Sequence, residues 1–248
     1  MNISTTARRA IAGAATVLAA VGLVVTVAGP AAAAAGTASI VGHIWFDRDY
    51  DGVQSKDEPG YQRSGGAIVL YQDGQEVGYY DTDADGAYRI YGLAPGQYRI
   101  GNVDGGAYYS TTPIYQDVEL AADDAIGVDF GIRGGVVAGA AWLDRNGDGI
   151  RDAGENTPDS AVEGAPVHLQ GPAGLELDTT LDANGLYAFQ DLSNGRNYEI
   201  TAPTLPGLTF TSWDSGDSDI DPKTGRSVWM EIWQGTDHIV DMGYVAVS

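Results

Sequence analysis

The residues with the most chemical content in this chain form two acidic loops. Asp47, Asp49, Asp51, Gly52 and Glu58 follow the pattern D-x-D-x-D-G-x5-E, and Asp144, Asn146, Asp148, Gly149 and Glu155 follow it again with one amide among the acids. A hard cation needs this spacing. Oxygens at loop positions 1, 3 and 5 wrap one side of the ion, and glycine at position 6 permits the sharp turn. The backbone carbonyl at position 7 (Val53 or Ile150) and a bidentate carboxylate at position 12 complete a shell of about six or seven oxygens. Position 9, Ser55 or Asp152, is able to act through water. So many oxygens suit calcium better than magnesium, and Ca2+ is the expected cofactor of both loops. An acidic surface turn without metal is the plainer reading; the full pattern at two equivalent places argues against it.

Other acidic and nucleophilic residues carry weaker signals. Asp214, Asp217, Asp219 and Asp221 alternate along one segment. In extended chain that spacing puts carboxylates along one edge, as a further calcium site or as a solvated acidic loop, and both readings stay open. Asp214-Ser215-Gly216 has the form of an aspartic-protease motif, but that chemistry needs a second such motif to share a proton, and none exists. No G-x-S-x-G, phosphate loop or cysteine occurs, and His43, His168 and His238 have no nucleophile at motif spacing. Nothing marks out a glycosidase pair among the 34 acids. No enzyme and no catalytic residue are expected.

The elements that must hold the loops are strands. Ile40, Gly42, Ile44 and Phe46 alternate with Val41, His43 and Trp45 just before the first loop, which is strand periodicity. Position 8 of the loops, apolar in paired EF-hands, is Gln54 or Arg151. The loops therefore sit between strands, unlike those of an EF-hand or a dockerin, which feed helices. Short apolar runs recur at Ala67 to Tyr71, Tyr88 to Tyr91, Tyr98 to Ile100, Val167 to Leu169, Tyr187 to Phe189 and Val228 to Trp233. Gly, Asp, Asn or Pro separates them at spacings that predict an antiparallel sandwich or barrel. Trp45 and Trp142 hold equivalent strand positions and are assigned to core. Trp229 and Trp233 fall on one strand face; core is the default for these and for Trp213, and an exposed aromatic platform is the alternative.

The chain reads itself twice, at an offset that begins at 97 residues and widens along the copy. Ile40 to Gly52 matches Val137 to Gly149, Asp83-Ala84-Asp85-Gly86-Ala87-Tyr88 matches Asp182-Ala183-Asn184-Gly185-Leu186-Tyr187, and Val128-Asp129-Phe130-Gly131 matches Val240-Asp241-Met242-Gly243. A repeat of this length is a duplicated domain. The expected division is a signal peptide over 1–35, a first sandwich over 36–132 and a second over 133–248, with a short join at Gly131 to Gly135 and limited freedom between the halves. The leader reading rests on Arg8 and Arg9, the uncharged apolar run to Ala28, the Gly29-Pro30 break and the alanines to Ala35. An uncleaved anchor is the alternative, and the paired arginines leave the export route open.

Beyond Ala35, 11 basic residues face 34 acidic ones, a formal charge of −23. Such a field repels nucleic acid and anionic membranes. With no cysteine, no disulfide staples the fold. The expected product is secreted, monomeric and free of membrane insertion once the leader is removed.

Both copies resemble the B-type domains of serine-aspartate repeat surface adhesins (SdrD B-like), relatives of the collagen-adhesin B domains. The stretches that carry the resemblance are the Trp-x-Asp-x-Asp/Asn-x-Asp-Gly loop, the Asp-x-x-Gly-x-Tyr turn, the closing Asp-x-Gly and, in the second copy, Asp217-Ser218-Asp219-Ile220-Asp221-Pro222-Lys223-Thr224-Gly225. It covers nearly all of residues 37–248 and implies an all-β pair of prealbumin-like or inverse-immunoglobulin-like sandwiches with calcium in the first loop. It also implies a stalk or ligand-presenting module at a bacterial surface, with an extracellular protein or glycan as partner. No Ser-Asp repeat or wall-sorting segment follows in the sequence, so covalent anchoring is not expected, and the first copy lacks the Asp-Ser-Asp segment. A carbohydrate-binding accessory module is the alternative function, which exposed tryptophans on the second domain would favour.

Overall fold

A computed structural model describes residues 36–155, 162–213 and 216–247. The expected leader over 1–35 and the position of Asp214 lie outside the described residues.

Eighteen strands and one 3-10 turn make up the described chain. The first half contributes β1 (Ala38–Phe46), β2 (Arg63–Gln72), β3 (Gln75–Thr82), β4 (Ala87–Leu93), β5 (Gly96–Asn102), β6 (Tyr109–Ser110), β7 (Tyr115–Leu120), β8 (Ala125–Gly127) and β9 (Phe130–Arg133). The second contributes β10 (Gly135–Leu143), β11 (Pro166–Gln170), β12 (Glu176–Thr180), β13 (Leu186–Leu192), β14 (Gly195–Thr201), β15 (Leu208–Phe210), β16 (Met230–Ile232), β17 (Asp237–Ile239) and β18 (Met242–Ala246). Each predicted apolar run falls in a strand, although the last is cut to the three residues of β16.

Each half is two sheets facing each other. One carries the order β4-β1-β9-β6 with β8 also on β1, and the other β3-β2-β5-β7; the second half repeats this as β13-β10-β18-β15 with β17 on β10, and β12-β11-β14-β16. Ile40, Ile44, Tyr88, Ile90 and Phe130 from one sheet pack with Ile68, Leu70, Tyr98, Ile100 and Val118 from the other. Val137, Tyr187, Phe189, Met242 and Tyr244 pack likewise with Val167, Leu169, Tyr198, Ile200 and Ile232. Burial of these two apolar sets is the main driving term for folding. Trp45 and Trp142 are buried, as expected.

One expectation changes. The sheets are mixed, because the last strands of each half run parallel to its first: β1 pairs in parallel with β8 and β9, and β10 with β17 and β18. A period of two reports which face a residue occupies, and not the direction of the neighbouring strand.

The repeated motifs build this first-to-last closure. The Asp83 carboxylate accepts N–H bonds from Asp85 and Ala87, and Asp182 accepts those of Asn184 and Leu186, closing the turn before β4 and before β13. The tyrosine that follows donates its hydroxyl to a carbonyl of the closing segment, Tyr88 to Val128 and Tyr187 to Val240. Asp129 and Asp241 then accept the N–H groups of His43 and Ala140 on the first strands. Tyr187→Phe removes one buried bond and leaves the Val240 carbonyl without its donor. A loss of about 1–2 kcal/mol is expected, read from the denaturant midpoint of the second sandwich.

Candidate functional site

The first loop leaves β1 at Phe46 and returns to it at Gly60. Phe46 N–H donates to the Pro59 carbonyl at 2.9 Å, and Trp45 pairs with Gly60. Both ends are thereby pinned to one place, which brings Asp47 and Glu58 together although they stand eleven positions apart in the loop pattern. Asp47 is further fixed by its own N–H on the Ile132 carbonyl of β9, at 2.8 Å. One carboxylate oxygen from each of Asp47, Asp49 and Glu58 lies within 4.8 Å of the others.

Backbone amides inside the loop orient these carboxylates. Gly52 N–H donates to Asp47 Oδ2 at 3.1 Å, Arg48 N–H to Glu58 Oε1 at 2.7 Å, and Ser55 N–H to Glu58 Oε2 at 2.9 Å. Asp51 N–H donates to Asp49 Oδ1 at 3.1 Å, and Val53 N–H to Asp51 Oδ1 at 2.7 Å. Gly52 has φ 74°, the left-handed turn expected at position 6. Asp51 stays outside the group of three, Ser55 approaches through its amide, and the Val53 side chain faces solvent.

The decisive atom is Asp47 Oδ1, which is buried and receives no hydrogen bond. A buried carboxylate oxygen without a partner is costly, and a cation is the group that satisfies it beside two further carboxylates. The residues of the first loop therefore fit a hard divalent ion.

The second loop has the same wiring with a different balance. Gly149 N–H donates to Asp144 Oδ2 at 2.8 Å, Arg145 N–H to Glu155 Oε1 at 2.7 Å and Asp152 N–H to Glu155 Oε2 at 3.0 Å. Asp148 N–H meets Asn146 Oδ1, and Ile150 N–H meets Asp148 Oδ1. Here, however, both oxygens of the first acid are served. Gly147 N–H donates to Asp144 Oδ1 at 2.6 Å, and the Thr211 hydroxyl donates to Oδ2. Burial works to raise the Asp144 carboxyl. The Thr211 hydroxyl and the amides of Gly149, Gly147 and Asp148 outweigh it and hold the group below the usual range. The Asn146 amide nitrogen bridges Asp148 and Asp152 at 2.9 and 3.1 Å. No three acids of this loop converge as those of the first do, among the described residues.

The acidic segment beyond serves separate partners. Asp217 accepts the Arg151 N–H, Asp219 accepts that of Asp241, and Asp221 accepts that of Lys223. Burial, with Asp241 and Asp217 nearby, pushes the Asp219 carboxyl up.

The first loop also touches the second half of the chain. Only Gly134 separates β9 from β10. Arg48, at loop position 2, places its guanidinium on both carboxylate oxygens of Asp191 in the second sandwich. The Arg133 guanidinium donates to the Arg48 carbonyl at 2.8 Å and to both Asp237 oxygens at 3.0 and 2.9 Å. It also lies 4.6 Å from the centre of the Tyr50 ring. Tyr50 holds φ 65° at loop position 4, where the second loop has Gly147 at φ 77°. A bulky side chain in that conformation is strained, and the Arg133 contact compensates for it. None of Arg48, Tyr50, Arg133, Asp191 or Asp237 stood out in the sequence. The one visible sign was Tyr50 standing where its counterpart is glycine.

The tryptophans require a correction. Met230 and Ile232 of β16 point inward, so the alternating residues face out, and Trp229 and Trp233 are 69% and 60% exposed. They do share one face, but it is not the core.

Fold and site together define a tandem β-sandwich protein in which each first strand ends in an oxygen-rich loop. The chain belongs to the SdrD B-like domain family, whose model matches residues 38–129 and again 135–244. It is 30% identical over 220 residues to serine-aspartate repeat-containing protein F of Staphylococcus epidermidis, covering 82% of this chain and 13% of that protein. It is 29% identical over 225 residues to serine-aspartate repeat-containing protein C of Staphylococcus aureus, covering 82% of this chain and 22% of that protein. The chain thus spans less than a quarter of the length of these curated relatives. The shaft pilin SpaA from Lactobacillus rhamnosus GG aligns with 85% of this chain and 98% of its own length at 12% identity and a TM-score of 0.38, a distance at which nothing about this chain follows.

Proposed function

We propose that the chain is a calcium-stiffened structural and adhesive module, exported and held at or near a bacterial surface, that spaces or presents a binding partner and has no turnover of its own. Membership in a family named for surface adhesin domains supports the module reading. No helix among the described residues is long and apolar enough to cross a membrane. Asp47, Asp49 and Glu58 would hold the ion in the first loop, which would neutralise their mutual repulsion there. Asp144, Asn146, Asp148 and Glu155 offer the second, better-satisfied set.

One observation carries the stiffening. Arg48 gives its N–H to Glu58 and its guanidinium to Asp191 of the other sandwich. Whatever orders Glu58 therefore orders the residue that grips the second half. An ordered loop leaves fewer arrangements open to the joint.

Small-angle scattering tests this. The full chain in calcium should give a narrower distribution of particle dimensions than in chelator, and Arg48→Gln with Arg133→Gln should broaden it even in calcium. A profile indifferent to both chelator and the arginine substitutions would remove the spacer reading.

A further inference from the structure

We infer that the chain carries a binding site for a neutral oligosaccharide, in a groove between the 103–115 segment of the first sandwich and the end of β16 in the second. The groove has a volume of about 720 Å³, within the range of ligand sites. Tyr109 and Tyr115 line it from the first sandwich and Trp233 from the second, and all three expose much of their rings. Asn102, Asn194 and Gln234 bring amide groups to the same lining.

The groove is built, not left over. Asn194 donates its N–H to the Ala107 carbonyl at 2.6 Å and its side-chain amide to the Gly106 carbonyl at 2.8 Å, which ties one wall to the other. Trp233 and Thr236 close a turn by two hydrogen bonds, with Gln234 at φ 51° inside it, so that turn presents both Trp233 and Gln234 to the groove. On the inner wall Asn102 is 5% exposed, and its Oδ1 receives no hydrogen bond.

Three features select the ligand. Exposed aromatic faces take the apolar C–H faces of sugar rings, and planar amides offer a donor beside an acceptor, which neighbouring hydroxyls match. No basic residue lines the groove among the described residues, and its one ionised group, Asp104, already accepts the N–H groups of Gly106 and Tyr108. With a chain charge of −21, an anionic ligand is repelled. A proline-rich peptide would also suit the rings, but proline has no N–H, so such a segment offers mostly acceptors. The groove's amides carry acceptors as well as donors, and a hydroxyl serves both.

This goes beyond the spacer reading by giving the adhesive part a ligand class; the groove has one wall on each sandwich, so binding is measured in calcium. The full chain is applied to an array of neutral hexose and N-acetylhexosamine oligomers, acidic glycans and proline-rich peptides, and hits are titrated by calorimetry. A neutral oligomer should be retained, and Trp233→Ala and Gln234→Ala should each weaken it, the former by about tenfold or more, with unchanged melting curves. Binding to none of the neutral oligomers, binding to acidic glycans or peptides alone, or binding indifferent to Trp233→Ala would overturn the inference. The spacer reading would be untouched, since it rests on the scattering profiles.

Discussion

Chelation should lower the melting temperature of the first sandwich by about 10–20 °C. An ion that binds only the native state adds RT ln(1 + [L]/Kd), about 2.7 kcal/mol at a hundredfold excess over Kd. For a domain of about 100 residues each kcal/mol moves the midpoint by about 4–8 °C. The expected response is larger in the first loop than in the second. Asp47 Oδ1 lacks any donor, whereas Asp144 already draws on Gly147, Gly149 and Thr211. An ion at the first loop relieves an unmet need; at the second it competes with bonds already made. Glu58→Gln keeps the side-chain shape and one acceptor for the Arg48 or Ser55 amide but removes the charge. It should abolish most of the calcium response of the first sandwich, and Glu155→Gln should abolish the smaller response of the second. Superimposable melting curves with and without chelator would refute metal binding at both loops. A larger loss from Glu155→Gln than from Glu58→Gln would refute the ranking.

The parts of the molecule legible in the sequence are those encoded over short distances. Ala67 to Tyr71 and Tyr88 to Tyr91 are strands because apolar residues bounded by Gly, Asp and Asn have few other uses. The acidic spacing brought Asp47, Asp49 and Glu58 under suspicion because six loop positions and one turn determine the geometry. What was hidden depends on contacts far apart in the chain. Thr211 reaches Asp144 across 67 residues, and Arg48 reaches Asp191 across 143. No local pattern announces either. The tryptophans failed for a different reason. Alternation placed Trp229 and Trp233 on one face, but Met230 and Ile232 compete for the inward side of a three-residue strand and win it. Apolar residues are common outside as well as inside, so hydrophobicity alone could not choose.

Gly42→Ala should unfold the first sandwich or cost it about 3 kcal/mol or more, while the second keeps its own transition. A Cβ at Gly42 would lie 1.8 Å from the Val128 carbonyl oxygen and 2.8 Å from the Tyr88 hydroxyl. The first obstacle is backbone, so no side-chain rotation relieves it, and β1 must separate from the closing segment. That separation breaks the hydrogen bond from Tyr88 to Val128 and disturbs the parallel pairing of β1 with β8 and β9. The Asp47 N–H hangs on the Ile132 carbonyl of β9, so the loop loses its anchor as well. Calcium should then no longer raise the first transition, although every loop residue is intact. Gly139→Ala repeats the test in the second half, where a Cβ would lie 1.9 Å from the Val240 carbonyl oxygen. Two calorimetric transitions, each lost by its own glycine substitution, are the expected result. A first transition that keeps its midpoint and its calcium response in Gly42→Ala would show that the first-to-last closure does not hold the loop.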